Sequence, residues 1–143
     1  MKSGQKYWPD WTPVAGQQFE YGFDDIGNRT STKAGGDESG AGLRSAAYSA
    51  NNLNQYSNRD VPGGFDVLGV ALATNAVTVN SLSTYRHGEY FRKDLSVVNT
   101  SVPVWQSVSV AAPGETTVSG NVFVPKTQEQ FSYDLDGNLT SAL

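Results

Sequence analysis

An all-β fold is predicted by three observations. A turn motif recurs in one frame, apolar residues alternate with a period of two, and no window shows a sustained helical period with caps. The motif is clearest near the C-terminus, in Tyr133-Asp134-Leu135-Asp136-Gly137-Asn138-Leu139-Thr140-Ser141. Phe23-Asp24-Asp25-Ile26-Gly27-Asn28-Arg29-Thr30-Ser31 matches it without a gap, as aromatic-Asp-x-x-Gly-Asn-x-Thr-Ser. A fainter copy runs from Tyr48 to Ser57, with Asn51 in the aspartate place and Asn54 where the others have glycine. Glycine adopts a positive φ freely, and asparagine is among the few other residues that tolerate it. The exchange therefore predicts a tight turn with a left-handed residue at one fixed position. Ahead of each strong copy, Tyr21-Gly22-Phe23 and Phe131-Ser132-Tyr133 keep the alternation of a pleated strand. Aspartate before the turn bonds to backbone two residues on, and Thr-Ser suits a half-exposed return strand. The structural turn residues are thus Phe23, Asp24, Gly27 and Asn28 in the first hairpin, and Tyr133, Asp134, Gly137 and Asn138 in the last.

These segments resemble the tyrosine-aspartate (YD) repeat of the bacterial RHS-repeat proteins. Tyr133-Asp134-Leu135-Asp136-Gly137-Asn138 carries the closer likeness and Phe23-Asp24-Asp25-Ile26-Gly27-Asn28 a variant of it. The wording from Thr12 to Tyr21, and Phe123-Val124-Pro125, resembles bacterial members as well. The resemblance implies a β-sheet of the kind that spirals into a hollow shell, often around a C-terminal toxin. It also implies a parent that is secreted or displayed at the cell surface. A chain of 143 residues is too short for a closed shell, and no segment resembles the self-cleaving core found in many of them. The expectation is a non-enzymatic structural fragment of an RHS/YD-repeat scaffold.

Composition agrees with one small β domain over residues 1–143, long enough to bury a core. Hydrophobic residues make up 38% and charged ones only 17%, with 15 glycines, a turn-rich profile. The net charge of −4 offers no basic surface for nucleic acid or anionic lipid. Without cysteine there is neither a disulfide nor thiol chemistry. No apolar core of a signal peptide follows Met1, and no run reaches membrane-spanning length, so no membrane insertion is expected.

Taken in order, residues 1–60 read as an aromatic arm followed by the first repeats. Pro9 and Pro13 argue against helix in Tyr7–Pro13, which reads as extended. Ala34–Gly42, rich in glycine and acidic residues, reads as a flexible loop, since it lacks the Gly-Lys-Ser/Thr of a phosphate loop. After Tyr48–Ser57 the repeat spacing breaks, and residues 61–128 read as a β-rich insert, either a small antiparallel sheet or a sandwich packed on the repeat hairpins. Its apolar series are Leu68, Val70 and Leu72; Val77 and Val79; Phe91, Leu95 and Val97; and Val104, Val108 and Val110. Thr116–Val118 and Val122–Val124 read as two further short strands. Residues 129–143 form the final, truncated YD repeat.

No catalytic or metal constellation emerges, so the chain is predicted not to be an enzyme and to need no cofactor. His87 is the only histidine and lacks any nucleophile motif around it. Asp134-x-Asp136-x-Asn138 places glycine wrongly for a calcium loop. The residues that stand out for binding are Trp105, expected to leave the valine face of its strand, and Tyr85, Arg86, Tyr90 and Arg92, expected to flank it. Aromatic faces stack on sugar rings, so this set defines the alternative function: a β-sandwich module that binds carbohydrate or protein. Docking of the insert on a repeat hairpin through Trp105 is the favoured reading of that residue. The final hairpin is expected to leave Phe131–Asp136 as an open edge. The Tyr7–Trp11 arm would cover that edge, or a second chain would pair with it in a homo-oligomer.

Overall fold

The computed structural model describes residues 2–142, and the fold is all-β, with no helix among these residues. Five strands come first: β1 (Ser3–Tyr7), β2 (Pro13–Phe23), β3 (Arg29–Gly35), β4 (Leu43–Ala50) and β5 (Tyr56–Arg59). Seven follow in the middle of the chain: β6 (Gly64–Val70), β7 (Thr78–Val79), β8 (Leu82–Ser83), β9 (Tyr85–His87), β10 (Tyr90–Ser96), β11 (Val104–Ala111) and β12 (Val118–Val124). The chain closes with β13 (Glu129–Tyr133) and β14 (Leu139–Ala142). A seven-stranded antiparallel sheet has the order β1-β2-β3-β4-β5-β13-β14, so β5 and β13 are neighbours although β6–β12 separate them in sequence.

One turn geometry builds every hairpin of this sheet. The amide of the first turn residue donates to the carbonyl four residues on, and the fourth residue's amide donates back to the first. This pair of bonds occurs at Trp8/Thr12, Asp24/Asn28, Asp37/Ala41, Asn51/Gln55 and Asp134/Asn138. The fourth residue is left-handed in each: Trp11 at φ 66°, Gly27 at 95°, Gly40 at 80°, Asn54 at 62° and Gly137 at 86°. The sequence motif records what the geometry needs. Asp24 Oδ1 accepts from the amides of Ile26 (3.1 Å) and Asn28 (2.7 Å), while Asn28 Nδ2 donates to Asp24 Oδ2 (2.9 Å). Asp134 and Asn138 repeat these contacts. In the middle copy Asn51 Oδ1 accepts the same amides and Asn51 Nδ2 donates to Gln55, so the pair swaps roles without a charge.

Two expectations change here. Ala34–Gly42 is no flexible loop, because β3 runs through Gly35 and Asp37 Oδ1 caps a turn of the same kind. Tyr7–Pro13 is no free arm, because β1 pairs with β2 and the turn at Trp8–Thr12 joins them. Both segments lack the aromatic-Asp…Gly-Asn signature, yet they make the same pair of backbone bonds, with Asp37 and Asp10 accepting from turn amides. Substituting Gly27 with valine is expected to cost about 1–2 kcal/mol through left-handed strain. A Cβ there meets nothing within 4 Å, so denaturant unfolding of this variant reads backbone strain and not a clash. A cost near zero would argue against the turn.

The turns also set an acid sensitivity. Hydrogen bonds from Asn138 hold the Asp134 carboxyl below its ordinary value of 3.8, and those from Ser39 and Ala41 do the same for Asp37. At Asp24, desolvation works upward but the bonds from Asn28 and Ile26 outweigh it. A carboxyl whose folded pKa is depressed contributes stability in full above its unfolded pKa and loses it as pH falls through the folded one. The urea midpoint should therefore drop as pH falls below about 4, and asparagine at positions 24, 37 and 134 should flatten that drop. An unchanged profile in the triple variant would argue against the assignment.

The middle strands form two further sheets, β6-β10-β9 and β12-β11-β7-β8. Between them lies the main apolar cluster of Val77, Val79, Phe91 and Leu95, with Phe65, Val67, Val108 and Val110 packed around it. The inner series at Val77/Val79, Phe91/Leu95 and Val108/Val110 follow the expected alternation. The series at Leu68, Val70 and Leu72 does not: β6 turns Phe65 and Val67 inward, leaving Val70 and Leu72 largely exposed. Residues 116–124 make one strand from Val118 instead of two.

The outer face of β6-β10-β9 lies on the large sheet through polar contacts. Arg44 of β4 binds both Asp66 and Asp94, and Arg92 Nε binds Asp66 Oδ1 at 2.7 Å. Tyr90 donates its hydroxyl to the Ala15 carbonyl at 2.5 Å, and Trp8 stacks on His87 with centroids 4.2 Å apart. The expected edge at Phe131–Asp136 is shorter than the sequence suggests, and it is not the end of the sheet. Phe131–Tyr133 pair with β14, β5 meets β13 at Glu129 and Gln130, the Tyr133 hydroxyl donates to the Tyr56 carbonyl, and Asp134 and Asp136 sit in the turn. The sheet's edges are β1 and β14, too far apart in strand order for one to cover the other.

Candidate ligand-binding surface

The five residues singled out for binding fall into two places. Tyr85 and Arg86 are on β9 and Tyr90 and Arg92 on β10, whereas Trp105 is on β11 in the other sheet of the sandwich. Trp105 is therefore not ringed by the other four. Arg86, Tyr90 and Arg92 already make hydrogen bonds within the protein. Arg86 donates to the carbonyls of Asn75 (2.8 Å), Ala71, Leu72 and Gly88, tying the loop after β6 to the β9–β10 turn. Arg92 is held by Asp66, and Tyr90 by Ala15. Burial raises the pKa of the Tyr90 hydroxyl, and likewise that of Tyr85, where Glu38 and Asp10 add to it. This side of the insert is a joint.

Trp105 behaves differently. The period of two in β11 turns Val104, Val108 and Val110 one way and Trp105, Ser107 and Ser109 the other, toward solvent. Trp105 is 70% exposed, which overturns its reading as the residue that docks the insert on a repeat hairpin. Its neighbour is Phe123, directly across the β11–β12 ladder, with ring centroids 5.2 Å apart and planes inclined by 50°. Phe123 is itself 49% exposed. Two residues along the same faces, Pro103 and Pro125 extend this strip into a cleft of about 500 Å3 beside β13 and β14. Lys126, Gln128, Glu129, Gln130 and Ala142 complete the lining.

The charges in that cleft are unequal in availability. Glu129 binds Arg59 Nε at 2.5 Å, and its side chain is mostly buried. Burial acts to lower the Arg59 pKa, but its bonds to Glu129 and Tyr48 prevail and raise it. Gln128 Nε2 donates to Asp60 Oδ1 at 3.2 Å. Gln130 Nε2 reaches Gln128 Oε1 at 3.4 Å, which leaves the Gln130 oxygen available as an acceptor. Phe123 and the two prolines escaped sequence reasoning because only the β11–β12 register puts Phe123 opposite Trp105. No group of three or more metal-ligating side chains occurs among the described residues.

Comparison with known proteins found no matching family model, no similar characterised protein and no similar solved structure.

Proposed function

We propose that this chain is a non-enzymatic structural segment of an RHS/YD-repeat scaffold. The observation that carries the reading is the use of one turn geometry in all five hairpins of the seven-stranded sheet. Such a sheet extends by adding hairpins of the same kind, as repeat architectures do. The test is direct: the purified chain, assayed against hydrolase, transferase and nuclease substrates, is expected to give no turnover. Reproducible activity lost on His87→Ala or Glu89→Ala would overturn the reading.

Association follows from the sheet's edges. β1 carries Lys6 and is preceded by Lys2, while Leu139–Ala142 of β14 carries no charge. Uncharged edges pair with other strands, and like charges oppose it. Self-association is therefore proposed through β14, and a lysine at Thr140 should shift light-scattering mass toward monomer. A mass unaffected by that change would exclude this edge.

A second reading is favoured by a specific observation, the exposed Trp105–Phe123 pair. Large aromatic surfaces left bare beside a cleft mark binding surfaces. In this reading the insert is a binding module displayed by the repeat sheet.

A further inference from the structure

We propose that the Trp105–Phe123 strip and the adjoining cleft between β12 and β13–β14 form a binding site for a neutral oligosaccharide. The inference rests on the binding-module reading and gives it a place and a ligand class. Three features of the surface select that class. First, the site is apolar along one wall and hydrogen-bonding along the other. Phe123, Pro103 and Pro125 make the first, continued outside the cleft by Trp105 against Phe123, and Gln128 and Gln130 make the second. A pyranose has the same division, with C–H faces that stack on aromatic rings and an equator of hydroxyls that pair with amides.

Second, the cleft holds little free charge. Glu129 is neutralised by Arg59, and Lys126 alone has no carboxylate within ion-pair distance among the described residues. A strongly anionic ligand would find one cation and an acidic chain around it. A purely apolar ligand would leave the Gln130 oxygen without a donor, which is costly on burial. Third, the volume of about 500 Å3 lies in the range of small-molecule sites, and the exposed aromatic pair continues it outward. The two ring planes, inclined by 50°, offer separate faces to successive sugars. That suits a glucan whose rings turn along the chain better than a flat ribbon.

The full chain, printed on an array of neutral and acidic glycans and titrated calorimetrically with maltohexaose and cellohexaose, tests the proposal. Binding of neutral glycans is expected, with maltohexaose the tighter of the two. Trp105→Ala and Phe123→Ala should each weaken binding at least about tenfold, equal to about 1.4 kcal/mol. Trp11→Ala, exposed on the β1–β2 turn at the far edge of the large sheet, should leave it unchanged. Circular dichroism of each variant reports whether the fold is kept. Sugar binding that is indifferent to Trp105 and Phe123 would overturn the site while sparing the binding-module reading. A proline-rich or extended peptide that shifts the Trp105 indole resonance when no glycan does would overturn the ligand class. Failure of glycans and peptides alike would overturn both this proposal and the reading beneath it.

Discussion

Replacing Asp66 with asparagine is expected to destabilise the protein by about 3–5 kcal/mol, the usual consequence of removing one member of a buried charge network. The Asp66 side chain is only 7% exposed and lies between two guanidinium groups. Its partner across the β6–β10 ladder is Asp94, so the register sets two acids side by side. That arrangement alone would be repulsive. Arg44 resolves it by binding both carboxylates, with 2.6 Å to Asp94, and in doing so ties β4 of the large sheet to the sandwich. Without the Asp66 charge, Arg92 loses its carboxylate partner and Arg44 keeps only Asp94. Urea unfolding followed by far-ultraviolet dichroism measures the loss. Adding Arg44→Met and Arg92→Leu to the Asp66→Asn variant should recover much of it, because no uncompensated charge is then left buried. A single variant within about 1 kcal/mol of the parent would show that the two units are held together by something else.

Truncating Phe91 to alanine should cost a similar amount, about 3–5 kcal/mol, through lost burial and the cavity left behind. Phe91 is 5% exposed at the centre of the sandwich core, among Val77, Val79 and Leu95. Its ring lies over Gly69, its partner in the β6–β10 ladder, where an added Cβ would come within 2.5 Å of the ring. Gly69 therefore serves as the floor for an aromatic ring, a role that glycine alone can fill there. Gly69→Ala is expected to cost about 1–3 kcal/mol by overpacking. Combining it with Phe91→Leu should cost less than the two changes summed, which a double-mutant cycle would read as coupling. Strict additivity would mean that the ring and the glycine do not share that space.

What the sequence determined by itself is local. The class of fold, the hairpins at Asp24–Asn28, Asn51–Gln55 and Asp134–Asn138, and their left-handed residues were all legible there. In each case the turn's hydrogen bonds are made by side chains within four residues, and only a few residue types supply that geometry. The same locality explains the two hairpins that stayed hidden. At Asp37–Ala41 an aspartate caps the turn without the flanking aromatic and the asparagine that mark the motif, and at Trp8–Thr12 the cap is Asp10 and Trp11 is held left-handed where no preference predicts it.

Everything that depends on which strand meets which was decided by tertiary structure. Alternation at Leu68, Val70 and Leu72 shows two faces but not which one is covered, and the core formed on the side of Phe65 and Val67. Arg92 and Trp105 are both polar-face residues of insert strands, yet one is clamped in a joint and the other is bare. Periodicity is a property of one strand, whereas burial is a property of a pair of sheets. The candidate site came into being only when β12 was paired with β11 and β13 with β14, which set Phe123 beside Trp105 and put Phe123 in one cleft with Gln128 and Gln130.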